Sequence, residues 1–462
     1  MKLPAFIDSH LHVLGIGYYK TIKDLSKYST IDEMVKDLKG IEQSVLIGQG
    51  WNQSQFSENR MPTKDDLNKI SSQVPIMLRR VCGHVIVVND ALLDLAGIHT
   101  TSKQVDGGAF SYESGIFSEN ALKLIYNHLP APTEDDLRQY FILANQALIS
   151  KGITHVASDD FSSFNVPYEM VIKVLKSLYE EGLMDVRITE QVNLSYENLK
   201  DFISKGYVNK EIHPKFKMGP LKILADGSLG GRTAAMLEPY SDALDTYGIL
   251  AYKDEELFNL VDLANEHGMD SVIHAIGDKT SLQAIQTIIK SIEKQKRFNH
   301  HHALIHAQLT PMDQIQMMKT YNIGAIVQPV FINSDINIIE DRLGSRKDTT
   351  YLFKSMYDNI PFGFSTDAPI EPINPFYNIY VAMTYKSIKH PDLKSLNPKQ
   401  TFTLKECLDA YTYKNLDFVY ESDLAKDDYI IVDKNIFELS VEEIKDVEIL
   451  ETYIDGVCVY KK

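Results

Sequence analysis

The chain has 462 residues, 44% of them hydrophobic and 24% charged, and 47 lysines and arginines against 63 aspartates and glutamates leave a formal charge of −16. That is the balance of a soluble globular protein, long enough for a large barrel with additions, and its acidity argues against nucleic acid or an anionic membrane as partner. Three scattered cysteines, Cys82, Cys407 and Cys458, with no C-x-x-C pair, argue against a disulfide framework or zinc ribbon. With no apolar leader and no run of about 18 apolar residues, the expected location is the cytoplasm.

In chain order the first informative stretch is Phe6–His12, FIDSHLH. Read as a strand, it puts His10 and His12 on one face, since residues i and i+2 project the same way. Two imidazoles so placed are half of a metal site and need further ligands from elsewhere. A helix-like segment opens at Ile31 and a strand, Ser44 to Ile47, follows. Trp51, the one tryptophan, reads as a core or loop anchor, with a pocket wall as the alternative.

Residues 50–149 do not read as a simple strand–helix unit. They hold a helix from Lys64 capped by Thr63, a strand Pro75 to Leu78 and a hairpin over Ala109 to Phe117. A block this long between barrel strands is expected to be an inserted subdomain shaping the substrate pocket, with His84 its substrate-contacting residue or a structural histidine. From Thr133 onward strands alternate with helices: a helix to Ser150, a strand Ile153 to Ala157, a helix Tyr168 to Glu181 and a strand Val186 to Val192. That alternation predicts a parallel α/β fold.

The strand Leu221 to Ala225 carries Lys222 inside an apolar run. A buried ammonium is costly without a partner. Lys222 therefore either snorkels, pairs with Asp226, or has reacted with carbon dioxide to form a carbamate, an anionic ligand able to bridge two metal ions. The loop after it, DGSLGGRT, has no Walker lysine. At a barrel mouth Ser228 and Arg232 would meet a substrate oxygen, or Arg232 would pair with a surface carboxylate. His274 ends the strand opening at Ser271, His306 ends Ala303 to Ile305, Gln328 follows Gly324 to Val327, and Asp367 follows Ile360 to Ser365. The run His300-His301-His302 precedes its strand and is expected to be structural.

His10, His12, Lys222, His274, His306 and Asp367 thus each stand at or near the C-terminal end of an apolar strand. In a (β/α)8 TIM barrel those ends converge on one mouth, and the residue types suit zinc or a similar divalent ion. The expected architecture is such a barrel over 1–49 and 150–417, an inserted subdomain at 50–149, placed after the first one or two strands, and a reduced β-sandwich at 418–462.

Six stretches carry a closer resemblance: FIDSHLH, RRVCGHVIVVNDALLDLAGI, LKILADGSLGGRTAAMLEPY, VIHAIGDK, LIHAQLTP and GFSTDAPIEPINPF. In this order, nearly end to end, they resemble the amidohydrolase superfamily, and within it the family 3 branch of N-substituted formamide deformylase-like proteins. The resemblance implies one ion on His10, His12 and Asp367, a second on His274 and His306, and carbamylated Lys222 between them. In a one-metal variant His10, His12, His274 and Asp367 suffice, and His306 donates to the substrate carbonyl. Asp367 would move the proton from a metal-activated hydroxide to the leaving nitrogen, with His84, Ser228, Arg232 and Gln328 on the substrate side and Asp8 behind the ligands. The implied activity is hydrolysis of a C–N bond in a small amide, N-acyl or N-formyl compound, with deamination, ester cleavage or a non-catalytic regulatory barrel as alternatives. Family members carry extra strands before the FIDSHLH segment, so the terminal sandwich is expected to be trimmed and its open edge is a place for a homodimer contact. Ile305 stands where the family usually has glutamate.

Overall fold

The structure, a computed structural model, describes residues 1–462 except 41–42, 82–84 and 106–107. Cys82 and His84 therefore lie outside the described residues. Eight strands form one parallel sheet: β1 Phe6–Leu11, β2 Ile153–Ser158, β3 Arg187–Val192, β4 Phe216–Leu224, β5 Ser271–Ala275, β6 Ala303–His306, β7 Gly324–Val327 and β8 Phe362–Phe364. They neighbour one another in sequence order from β1 to β8, and every adjacent pair runs parallel. Their residues are almost all buried, as expected of a sheet covered on both faces.

Helices supply the cover. Asp278–Gln295 buries Thr280, Ala284, Ile285, Ile288 and Ile292, a stripe at helical spacing. Tyr168–Glu180 does the same with Val171, Leu175 and Leu178.

β1 and β8 close the ring through single bonds rather than a ladder. The amide of Asp367 donates to His10 O at 3.0 Å and that of His12 to Ala368 O at 2.9 Å. One side chain ties the two strands lower down: Asn415 Nδ2 donates to Ile7 O at 2.6 Å and to Phe364 O at 2.8 Å. The (β/α)8 barrel expected from the strand–helix alternation is thus present.

The chain divides into two compact units. One comprises 1–16, 141–163 and 167–462, the other 17–140 and 164–166. The second unit begins earlier than residue 50, because the strand Leu46–Trp51 does not enter the barrel. It pairs with Lys23–Asp24 and Ile76–Arg80 in a separate six-stranded sheet with Val85–Val88, Ile116–Glu119 and Gly108–Ser111. Successive residues of these strands feed opposite faces. Leu46, Ile76, Leu78 and Val87 join one core, and Ile47, Met77, Ile86 and Val88 the other. Trp51 is fully buried in the first of these, its indole donating to Leu78 O at 3.0 Å, which makes it the core anchor.

The C-terminal strands Tyr429–Val432, Ile449–Ile454 and Val457–Lys461 form an antiparallel sheet with Lys2–Pro4. This sheet belongs to the same unit as the barrel. No helix among the described residues is long and apolar enough to cross a membrane.

Replacing Asn415 by leucine keeps the branched shape but takes one donor from each of two buried carbonyls; Phe364 O keeps the Ser9 hydroxyl at 3.0 Å, and a buried carbonyl left short of a donor costs about 1–3 kcal/mol. Asn415→Leu is expected to lower unfolding stability by about 1–3 kcal/mol, read as a fall in urea midpoint at unchanged slope.

Candidate metal centre

The strand ends bring the expected ligands together. His10 Nε2 lies 3.3 Å and His12 Nε2 3.2 Å from the same Asp367 oxygen, Oδ1. Ligand atoms of His10, His306 and Asp367 all lie within 4.8 Å of one another. The imidazoles form a continuous row, with ring centres 5.2 Å apart for His12 and His10, 5.9 Å for His10 and His306, and 4.4 Å for His306 and His274. His306 and Asp367 have φ of +72° and +55°, a left-handed backbone that non-glycine residues hold at a cost of about 1–3 kcal/mol. Both are held there by closed strand ends.

Each histidine has one nitrogen engaged by the protein. His10 Nδ1 faces Gln191 Oε1 at 2.6 Å, His12 Nδ1 faces Asp159 O at 2.9 Å, and His306 Nδ1 faces Gln328 Oε1 at 2.7 Å. Carbonyl oxygens only accept, so all three Nδ1 atoms carry hydrogen and each neutral ring presents an Nε2 lone pair. His274 is turned the other way. Its Nε2 meets Gly227 O at 3.1 Å and Asp226 Oδ1 at 3.3 Å, which leaves Nδ1 as its free atom. Asp226 is itself fixed by the amides of Ala235, Ile276 and Gly277 and the hydroxyl of Thr280.

Electrostatics divide the two N-terminal histidines. The side chain of His10 is 1% exposed and that of His12 25%. Burial, with Lys222 second, lowers His10 to about 4. Burial also pulls on His12, but the Asp367 carboxylate outweighs it and raises the ring to about 9. Burial would raise Asp367, yet the two imidazoles reverse that and hold its carboxyl well below the usual range. The ion-free centre is therefore a His12–Asp367 ion pair with His10 neutral beside it. Lys222 is buried, and burial pushes its ammonium below the ordinary value against the pull of Asp159 and Asp367.

The other expected site residues fall as follows. Asp8 is fully buried and accepts from the Thr366 amide and hydroxyl and the His10 amide, so it braces the segment leading to Asp367. Gln328 is engaged at both ends, by His306 and by Ser365 Oγ at 2.6 Å; it orients a ligand. Arg232 makes a two-pronged pair with Asp242 at 3.0 and 2.9 Å, the surface-pairing alternative, and Ser228 Oγ accepts from the Gly231 amide at 3.2 Å. His300 and His302 hold backbone groups below their strand. Gln191, Asp226 and Asp159 had not been singled out as orienting groups. The strand Arg187–Val192 reads RITEQV, and its run of buried polar residues, Thr189, Glu190 and Gln191, was the visible signal.

The model of the amidohydrolase family matches residues 1–460. The chain belongs to the amidohydrolase family. It is 31% identical to the putative amidohydrolase YtcJ of Bacillus subtilis (strain 168), over 100% of this chain and 89% of that protein. It is 21% identical to the N-substituted formamide deformylase of Arthrobacter pascens, over 100% and 88%. Among solved structures, an uncharacterized metal-dependent hydrolase from Pyrococcus furiosus superposes with a TM-score of 0.79 at 28% identity, covering 94% of this chain and 87% of that one.

An ion at His12 Nε2 must displace the proton that Asp367 holds there. Between pH 6 and 8 metal affinity of the metal-free chain is expected to rise about tenfold per unit, levelling above about 9. Calorimetric titration in buffers of different ionisation enthalpy should show close to one proton released at pH 7. His12 is raised from its ordinary 6.5, so its contribution to stability is complete below 6.5 and lost as pH climbs through about 9. Gln191→Leu is expected to weaken metal binding by about 10–100-fold with little change in far-ultraviolet circular dichroism.

Proposed function

We propose that this protein is a metal-dependent hydrolase that cleaves the C–N bond of a small amide, N-acyl or N-formyl compound. The observation that carries the reading is the Asp367 carboxylate, set between two imidazoles whose Nε2 atoms face it at 3.2 and 3.3 Å. Nitrogen and carboxylate donors of this kind suit zinc. His10, His12 and Asp367 would hold one ion; His306 would join them or, with His274 and Lys222, hold a second. Such an ion supplies a Lewis acid that polarises a carbonyl and makes water acidic near neutral pH.

The chain's own residues do the rest. Asp367 is held ionised by its neighbours, so it can accept a proton from the attacking water and deliver it to the departing nitrogen, which must leave as a neutral amine. His306, locked by Gln328, can donate no hydrogen from Nε2 while its ring is neutral. That favours its service as a ligand over carbonyl donation. Lys222 has no hydrogen-bond partner among the described residues, and its depressed pKa enlarges the neutral amine fraction. Attack of that amine on carbon dioxide forms an N–C bond, releases one proton and leaves an anionic oxygen pair among the histidines. The named activities of the relatives favour an amide substrate over an amine or ester.

Three measurements test the reading. Elemental analysis of the purified chain should find one or two zinc ions, and a panel of N-formyl and N-acyl amines should include a substrate. Asp367→Asn should lower kcat by about 10²–10⁴-fold. Intact mass under native conditions should exceed the sequence mass by bound metal plus one carbon dioxide, the latter missing in Lys222→Ala. A chain that binds no divalent ion and turns over nothing in the panel is a non-catalytic barrel instead.

A further inference from the structure

A second cavity, of about 200 Å³, lies at the opposite ends of the first three barrel strands from the metal ligands. Ile7, His155 and Arg187 are register partners across β1, β2 and β3, so their side chains make one row along its wall. Leu416 and Leu424 face them, in an apolar cluster with Ile7, Ala157 and Val419.

The row holds an unsatisfied acceptor. His155 is 5% exposed, and its Nε2 lies 3.1 Å from Thr189 Oγ1. The Thr189 hydroxyl has one proton, which it gives to Val419 O at 3.1 Å. Nε2 must therefore donate to Thr189, and Nδ1 is left as a bare lone pair with no partner among the described residues. Burial, with the charges of Lys217 and Arg187, lowers His155 well below its ordinary value, in keeping with a neutral ring.

The charges around the cavity are unequal. Arg187 is spent on Asp428 and Asp455, and Glu421 is paired with Lys217. Asp423, also on the wall, accepts only the Leu424 amide at 2.8 Å and has no cation partner among the described residues. The cavity thus offers a mixed lining, with one apolar side at Ile7, Leu416 and Leu424, one lone pair at His155, and one uncompensated carboxylate at its exposed rim, Asp423.

We propose that this cavity binds a small organic amine, its apolar body against Ile7, Leu416 and Leu424, its N–H donated to Nδ1 of His155 and its charge facing Asp423. An apolar cavity of about 150 Å³ already accepts benzene, so the size suits one ring with an aminomethyl arm. The site is distinct from the metal centre, because every expected metal ligand stands at the other ends of the strands.

The test uses the full metal-loaded chain and benzylamine, with toluene as the neutral analogue, followed by saturation-transfer NMR and calorimetry. Benzylamine is expected to bind saturably with a Kd of about 1 mM and toluene at least about tenfold more weakly. Removing the metal should leave benzylamine binding in place. Asp423→Asn should weaken it about fivefold to tenfold, and Leu424→Trp, which fills the space from its outer wall, should abolish it. His155→Leu should narrow the preference for benzylamine over toluene to the part that Asp423 supplies; should that core variant fail to fold, the two outer-wall variants decide alone. Absence of saturable binding, equal affinity for toluene in the natural chain, or binding that survives Leu424→Trp but disappears with the metal overturns the proposal.

Discussion

The contact on which the rest depends is that between Asp367 and the end of β1. Its amide bonds the His10 carbonyl, and its carboxylate bonds the His12 ring and lies against Nε2 of His10. One residue therefore both closes the barrel and assembles the ligand set. An eight-stranded parallel sheet that failed to meet itself here would leave backbone groups of β1 and β8 without partners, and backbone groups in a buried strand must be satisfied. Folding and site construction are one event at this seam. The left-handed backbone of Asp367 is tolerated because bonds on both sides hold it.

The ligands are oriented by chemically different partners. Gln191 and Gln328 offer neutral carbonyl oxygens to His10 and His306, whereas Asp226 offers a carboxylate to His274. A carboxylate partner makes a ligating imidazole a stronger donor than an amide does. The end of the row at His274 is thus the more electron-rich, and its free nitrogen is Nδ1 where the others present Nε2. The two halves of the row are unlike, consistent with unlike tasks for two ions or with one ion seated towards His10 and His12.

Much of this was legible in the chain. Strand-end histidines can be read because a parallel barrel strand is a short apolar run and a polar residue at its C-terminal end stands out; His274, His306 and Asp367 were all found that way. The orienting partners were not: Gln191 and Asp226 were not tied to any ring and Gln328 was placed on the substrate side, because nothing in local sequence says which ring a side chain will meet. The early boundary of the second unit was hidden for a similar reason. Leu46–Trp51 has the composition of a barrel strand, and only its pairing with Ile76–Arg80 shows that it belongs elsewhere. Lys2–Pro4 is too short to announce itself and owes its strand character to Tyr429–Val432. Arg232 shows the converse, a residue of the right type in the right loop whose guanidinium is already committed to Asp242.

Behind the candidate ligands lie buried carboxylates that the proposed reaction does not use. Asp8, Asp160 and Glu190 are fully buried. Burial pushes Asp8 up to about 7, and it also raises Asp160 and Glu190. Glu190 Oε2 has no hydrogen-bond partner among the described residues, and its Oε1 accepts from the Asp160 amide. Buried negative groups crowded together are unfavourable when ionised and lift one another's pKa. A divalent cation at the strand ends reverses the sign of that arrangement, since each nearby carboxylate then gains attraction where it had only desolvation cost. With such a cation bound, that cost would fall and binding free energy would be returned as stability. An acidic chain with a neutral pocket would hold its histidines in place equally well. It would lack the thermodynamic demand for a cation that these three carboxylates place on the mouth of the barrel.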